Sequence, residues 1–309
     1  MPNFFVNLYK PVGLSSFDCI RKLRKLLGIK KIGHMGTLDP FAEGVLIIGV
    51  NRFASFFQLF NELPKTYRAT SLLGKSTDSG DLTGKLTATV NDIPQLSNTP
   101  GKSNVEDFIK DMKRMIQKEF IGEIEQVPPM ASALKLNGKK LYEYHRKGIQ
   151  VERKKRKCTI HSLELVTKTI NKENPLFEFN VCCSSGTYIR TLTEDIFKKF
   201  NIPSHLTKLV RTSIGNLCIE DSTDLLKIDN ENISNFKVFP EKVFSIGEFV
   251  VKKEFEKKFK NGNFIDLKNE IVSLKKNDDN IIFRGILEDG AIEGYYSLSD
   301  NMMKVMIKL

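Results

Sequence analysis

The stretch Gly33-His34-Met35-Gly36-Thr37-Leu38-Asp39-Pro40 constrains the backbone more tightly than any other in this 309-residue chain. Two glycines let the main chain turn sharply, and Pro40 drives Asp39 out of the helical region toward an extended conformation. The Asp39 carboxylate is therefore carried on stiff backbone beside a permissive loop, as a catalytic carboxylate on a strand–loop junction would be. The same residues also suit an Asx-type turn, in which Asp39 only hydrogen-bonds nearby backbone. From this segment alone, the turn is the favoured reading.

Around it the hydrophobic pattern switches between periods. Ser15 and Ser16 are N-cap candidates for a helix with Phe17, Ile20, Leu23 and Leu27 inward, stopped at Gly28. Val45–Val50 reads as a buried strand and Tyr67–Leu73 as a half-exposed one. Residues 91–104 form a loop rich in Asn, Ser and Pro. Ser103-x-x-Glu106 resembles a capping box, opening a helix with Val105, Phe108, Ile109, Met112, Met115 and Ile116 on one face. Phe177, Phe179, Val181 and Cys183 alternate as a strand, and a turn at Ser185-Gly186 leads into a helix with Ile189, Leu192, Ile196 and Phe197 inward. Past a polar stretch at 229–235 come short strand-like runs at 249–251, 271–274, 281–287 and 304–307. The order is mixed, without a βαβ rhythm, so the expected class is α+β with a small β-rich C-terminal domain. The expected division is 1–243 and 244–309.

Charge narrows the range of partners. The net charge is +11, yet residues 244–309 hold eleven Lys and Arg against eleven Asp and Glu. The excess therefore lies upstream. Arg21, Lys22, Arg24, Lys25, Lys30 and Lys31 have no acid among them, and Lys135–Lys157 carries ten basic residues against Glu143 and Glu152. Each stretch could be a solvated face, but charge this one-sided favours contact with phosphates. Its density in Lys135–Lys157 suggests a thumb-like loop that orders on contact.

Other chemistries find little support. Five scattered cysteines without a CxxC pair argue against a disulfide framework or a structural zinc site, and point to a reducing cytoplasm. No apolar run approaches the roughly 20 residues of a membrane span. Four dispersed histidines lack metal-ligand spacing, and nucleotide-loop and nucleophile-elbow motifs are missing. Two segments could serve RNA. Tyr67, at a strand start beside Lys65 and Arg68, could stack on a base or be a half-buried core residue. Arg190, at a strand-to-helix turn, could bind phosphate, pair with a carboxylate or lie on the surface.

Together these blocks resemble the bacterial TruB family, the tRNA pseudouridine synthases acting on the T-arm loop. The resemblance runs in family order over residues 8–220. It takes in Lys10-Pro11-Val12-Gly13-Leu14-Ser15-Ser16, Gly33–Pro40, Gly44-Val45-Leu46 and Lys65-Thr66-Tyr67. Further on come Gln126–Ala133 with Lys139-Lys140-Leu141-Tyr142, Gly186–Arg190, and Leu209-Val210-Arg211-Thr212 with Ile214-Gly215. Met35 and Thr66 depart from the family pattern at places that carry no chemistry. Around Lys260-Asn261-Gly262-Asn263 the C-terminal part is similar to a PUA-like RNA-binding domain.

The resemblance implies a mixed-sheet catalytic domain and isomerisation of the T-loop uridine at tRNA position 55. Asp39 would be the catalytic carboxylate, Tyr67 the aromatic stacked on the flipped base, and Arg190 the partner of Asp39. Tyr188 and Leu209 would line the base pocket, and His34 would fill the space the base leaves. Lys10 and Pro11 look structural. Because nothing is added, oxidised or reduced, no cofactor or metal is expected. The expected partner is the T arm of tRNA, with the enzyme a monomer that needs no protein partner. An RNA-binding chaperone and a guide-RNA-dependent synthase subunit are the competing readings.

Overall fold

In the computed structural model, the described residues are 3–93, 96, 105–167, 170, 173–229, 231–276, 282–299 and 301–309. Most of the expected 91–104 loop, and the Ser103 half of the capping box, lie outside them. Among the described residues the chain forms a mixed eleven-stranded sheet and, after residue 245, a six-stranded one. The path of the large sheet runs Thr223–Asp224, Phe4–Lys10, Glu43–Val50, Ser204–Ile214, Lys65–Leu73, Leu176–Cys183, Arg156–Leu165 and Gly122–Gln126. The class is α+β.

The strand Lys65–Leu73 sits deep in this sheet, antiparallel to both neighbours. Its sequence alternates, so Lys65, Tyr67, Ala69, Ser71 and Leu73 are buried while the residues between them are more open. Tyr67 lies opposite Val181 on one side and Arg211 on the other. The helix Ile189–Lys198 covers this face with Ile189, Leu192, Ile196 and Phe197, joining a core that includes Phe177, Phe179, Leu206 and Leu209. The helix Val105–Glu119 adds Phe108, Met112 and Ile116 to the same core.

The first helix, Ser16–Leu27, is rotated from the expected face. Ser15 is the N-cap, in a reciprocal capping box with Asp18, and Gly28 ends the helix in the left-handed region. Its buried residues are Ser16, Cys19, Ile20 and Leu23, whereas Phe17 is exposed, with the Arg24 guanidinium over its ring. The cause is polar. The Ser16 hydroxyl donates to Leu38 O at 3.1 Å and accepts from Leu38 N at 2.9 Å, which turns Ser16 inward and Phe17 out.

The C-terminal sheet runs Ile265–Asp266, Met302–Lys308, Ile292–Ser299, Ile282–Leu287, Ile246–Val251 and Ile271–Lys275. It forms a small β-rich domain of the PUA-like kind, with its own core of Phe249, Phe259, Phe283, Tyr296 and Met303. A second cluster spans both sheets, joining Phe5, Phe53, Phe56 and Phe60 to Phe244, Ile282, Tyr295 and Ile307. The Phe53 and Phe56 rings meet the Tyr295 ring edge-on at 5.9 and 5.6 Å between centroids. The strand Ile292–Ser299, which supplies Tyr295, is one that period reading misses: Gly294 and Ser297 break its apolar alternation.

The basic segment Lys135–Lys157 is irregular. It holds a short ladder, Lys135–Leu136 with Lys139–Lys140, and one helix, Leu141–Arg146. Leu141 is its single buried residue, and the charged side chains of 153–157 are mostly open to solvent. No helix among the described residues is long and apolar enough to cross a membrane.

Candidate active site

The loop after the short strand Ile32–His34 is held from three sides, and this is what aims Asp39. Gly36 takes a positive φ of 104° that L side chains rarely adopt. Ser16 grips Leu38 as described. From the third side the Arg211 guanidinium, 1% exposed, donates to Gly36 O at 3.0 Å, Thr37 O at 3.2 Å and Val45 O at 2.7 Å. Gly44 lets the Arg211 backbone come close: a Cβ there would sit 2.3 Å from Arg211 O. The loop ends in a backbone turn, with Ala42 N donating to Asp39 O at 3.1 Å; the Asp39 carboxylate itself faces Arg190 and not the neighbouring backbone of an Asx-type turn.

Asp39 lies in a cleft of about 520 Å³ lined by Tyr67, Tyr188, Arg190, Leu209, Arg211, Lys65, Ser132 and the Gly36–Leu38 backbone, among others. Arg190 Nη2 is 2.9 Å from Asp39 Oδ2, and Nη1 is 3.4 Å from Asp81 Oδ2. The same two nitrogens donate to Ala131 O at 2.9 Å and Ser79 O at 2.7 Å. One buried cation is thus clamped between two carboxylates and two carbonyls, a charge-assisted arrangement that fixes its fork geometry. Asp81 is itself locked, accepting from the Ser79 hydroxyl and from Thr83 N, each at 2.9 Å.

The electrostatics follow from this packing. Burial pushes the Asp39 carboxyl up, and the Arg190 guanidinium opposes that push. Burial also raises the hydroxyls of Tyr67 and Tyr188, with the Arg211 charge pulling Tyr67 back. Lys10, buried with its ammonium on Pro11 O and Leu14 O, is lowered by desolvation to about 8. One helical turn past Arg190, burial raises Glu194 to about 7, aided by Asp195 and Asp81 and opposed by Arg190.

Five of the six residues singled out in the sequence meet in this cleft: Asp39, Tyr67, Arg190, Tyr188 and Leu209. Tyr188 is set by Gln126, which accepts from Tyr188 N at 3.0 Å and donates to Tyr188 O at 3.3 Å. His34 stands apart from the lining, in the strand paired with Glu43–Val50. Its Nδ1 is buried without a partner, and burial lowers its pKa. Asp81, Ser16 and Gln126 were not singled out as site residues. Arg211 and Lys65 appeared only inside longer blocks. An isolated Asp carries no pattern, so the sequence held no signal for Asp81, and Ser16 stood out only as an N-cap candidate and a member of the Lys10–Ser16 block. Among the described residues no group of three or more His, Cys, Asp or Glu could hold a metal ion.

The large sheet thus carries a carboxylate–guanidinium pair in an aromatic-walled cleft. A solved structure titled "Crystal Structure of a Cbf5-Nop10-Gar1 Complex" shares the fold, with a TM-score of 0.65 and 21% identity, over 99% of this chain and 83% of that one. Residues 24–189 match the model described as "TruB family pseudouridylate synthase (N terminal domain)". The tRNA pseudouridine synthase B of Clostridium kluyveri is 40% identical over 306 residues, covering 98% of each chain. That of Bacillus subtilis is 37% identical over 289 residues, 92% of this chain and 90% of its own length. The chain belongs to the TruB family and is a pseudouridine synthase, an isomerase.

Proposed function

We propose that this chain converts the T-loop uridine at position 55 of tRNA to pseudouridine. The observation that carries the reading is the Asp39–Arg190 pair, 2.9 Å apart in a cleft walled by Tyr67, Tyr188 and Leu209. The kinship with enzymes named for tRNA supports the substrate class. Residues 1–243 act as the catalytic unit and 244–309 as an RNA-binding unit. The protein works in the cytoplasm as a monomer without an obligatory protein partner.

A uridine inside a folded loop must leave its stack, at a cost of a few kcal/mol. Stacking on an aromatic returns about 1–3 kcal/mol, so the Tyr67 ring offsets extrusion. Tyr188 and Leu209 close the apolar sides, and His34 fills the place the base vacates. The exposed lysines and arginines of 135–157 neutralise phosphates. Asp39, kept ionised by Arg190, attacks C1′ or takes a sugar proton so that a glycal forms. The C1′–N1 bond breaks, the ring turns, a C1′–C5 bond forms, and the C5 proton leaves to water, relayed through the Tyr67 hydroxyl, which gives up its own proton as it takes the new one.

The test is a tRNA transcript tritiated at C5 of uridine, incubated with the purified chain and with Asp39→Ala. Tritium released by the wild type alone, together with pseudouridine at position 55, is the expected result. Tight binding without release by the unaided wild type overturns the stand-alone reading in favour of a partner-dependent subunit or a chaperone. Pseudouridine at another position overturns the site assignment.

A further inference from the structure

Two buried cations in the cleft lack what Arg190 has. Among the described residues, neither Arg211 nor Lys65 pairs with a carboxylate; Arg211 donates to the Gly36, Thr37 and Val45 carbonyls and lies against the Tyr67 hydroxyl. Lys65 donates to Phe60 O at 2.8 Å and Leu63 O at 2.7 Å, and to the Ser185 hydroxyl. Both side chains line the same cleft as Asp39. They are close together: a Cβ built on Gly36 would lie 3.7 Å from Arg211 Nη1 and 3.9 Å from Lys65 Cε. Burial, and after it the Arg211 charge, lowers Lys65 to about 8.

Holding carbonyls needs N–H donors and not a net charge, although a guanidinium offers five of them where an amide offers two. Burying an ion costs several kcal/mol, and placing two like charges together adds to that cost. A fold that keeps both, fully buried and facing the reaction cleft, gains something from the charge itself. The reaction supplies the missing anion. When C1′–N1 breaks heterolytically, the electron pair stays on N1 and spreads over O2 and O4, so the ring carries negative charge until C5 bonds to C1′ and sheds its proton.

We propose that Arg211 and Lys65 form a fixed positive wall that stabilises the uracil ring as it departs from C1′, with Arg211 also holding the Asp39 loop in place. This rests on the uridine isomerisation proposed above. Such preorganised charge in a water-poor cleft acts only as negative charge develops, which is where it accelerates the step. Arg190 is occupied by Asp39 and Asp81 and serves the carboxylate. Arg211 and Lys65 serve the base.

The test compares two substrates. Fluorine at C5 makes the uracil ring a better anion, so its departure depends less on outside charge. RNA carrying uridine or 5-fluorouridine at the target is mixed with excess wild-type, Arg211→Gln, Arg211→Lys or Lys65→Gln protein. Consumption of the target nucleoside is followed by nuclease digestion and chromatography. Arg211→Gln should slow uridine consumption on the order of 100-fold but 5-fluorouridine consumption only about 10-fold, and Arg211→Lys should recover part of the uridine rate. A purely positional role would slow both substrates alike, and that result in a folded variant overturns the proposal. If Arg211→Gln does not fold by circular dichroism, the same comparison on Lys65→Gln decides it. A wild type inert on both substrates is a separate failure, that of the isomerase assignment at this uridine.

Discussion

Replacing Arg190 with Met removes one cation from between two carboxylates while keeping most of the apolar stem. Truncating one partner of a buried pair costs about 3–5 kcal/mol, because the other charge stays buried. Two partners share that cost here. The Asp81 side chain is 6% exposed and has no access to solvent relief, whereas the Asp39 side chain is 35% exposed and is partly screened. The folding cost therefore falls mainly on Asp81, while the rate loss comes through Asp39, which loses the cation that orients it, and is on the order of 100-fold in single-turnover rate at neutral pH. The pH sign follows from the packing. Burial pushes Asp39 up and Arg190 opposes it, so removing Arg190 leaves the upward push of burial and Asp81 opposed by the weaker effect of Lys10. Asp39 must be ionised to act, so the acid limb of the rate profile moves to higher pH and the variant recovers partially as pH rises. The assay is tritium release under single-turnover conditions between pH 5 and 9, with tRNA affinity measured in parallel. A folded Arg190→Met protein with a near wild-type rate, or with an unmoved acid limb, would refute the assignment of Arg190 to Asp39.

Three other outcomes are expected. Tyr67→Phe keeps the stacking ring and loses the hydroxyl, so tRNA binding should persist while tritium release stalls; unimpaired release removes Tyr67 as proton acceptor. Gly44→Ala would place a methyl 2.3 Å from Arg211 O at a residue with φ of 108°; backbone strain and overpacking together should cost about 2–5 kcal/mol in denaturant unfolding. Glu194 is raised in the folded protein from 4.5 to about 7, so the native state binds the proton more tightly than the unfolded chain. Its contribution to stability is fully present below about pH 4.5 and is lost as pH rises through 7. Glu194→Gln should therefore be the more stable protein at pH 8, on the order of 2 kcal/mol, with the difference vanishing near pH 4; equal stability at both pH values would contradict the raised carboxyl.

Helices and strands whose burial is apolar and periodic were legible, as in Lys65–Leu73, Leu176–Cys183 and Ile189–Lys198. The failures share a cause. Phe17 points outward because Ser16 is claimed by the Leu38 backbone, and a hydroxyl that bridges 22 residues leaves no periodic trace. Ile292–Ser299 escaped because a glycine and a serine interrupt its apolar run. At the site, the stiff Asp39 segment and the Arg190 turn stood out locally, but their meeting is a property of the sheet order, which brings residues 151 positions apart to 2.9 Å. Asp81 and Gln126 act on the Arg190 guanidinium and the Tyr188 backbone, at the start of a helix far along the chain, so their own neighbours do not mark them as site residues.

The aromatic cluster shared by the two sheets carries one core across the chain's passage from the first sheet to the second near residue 243. Cutting the chain there would uncover the faces of Phe53, Phe56 and Phe60 that now meet Tyr295 and Phe244, and would leave the shorter piece with its own sticky edge. The C-terminal sheet is therefore less a passenger than a keystone. Removing it would expose the apolar surface of Phe53, Phe56 and Phe60 to water.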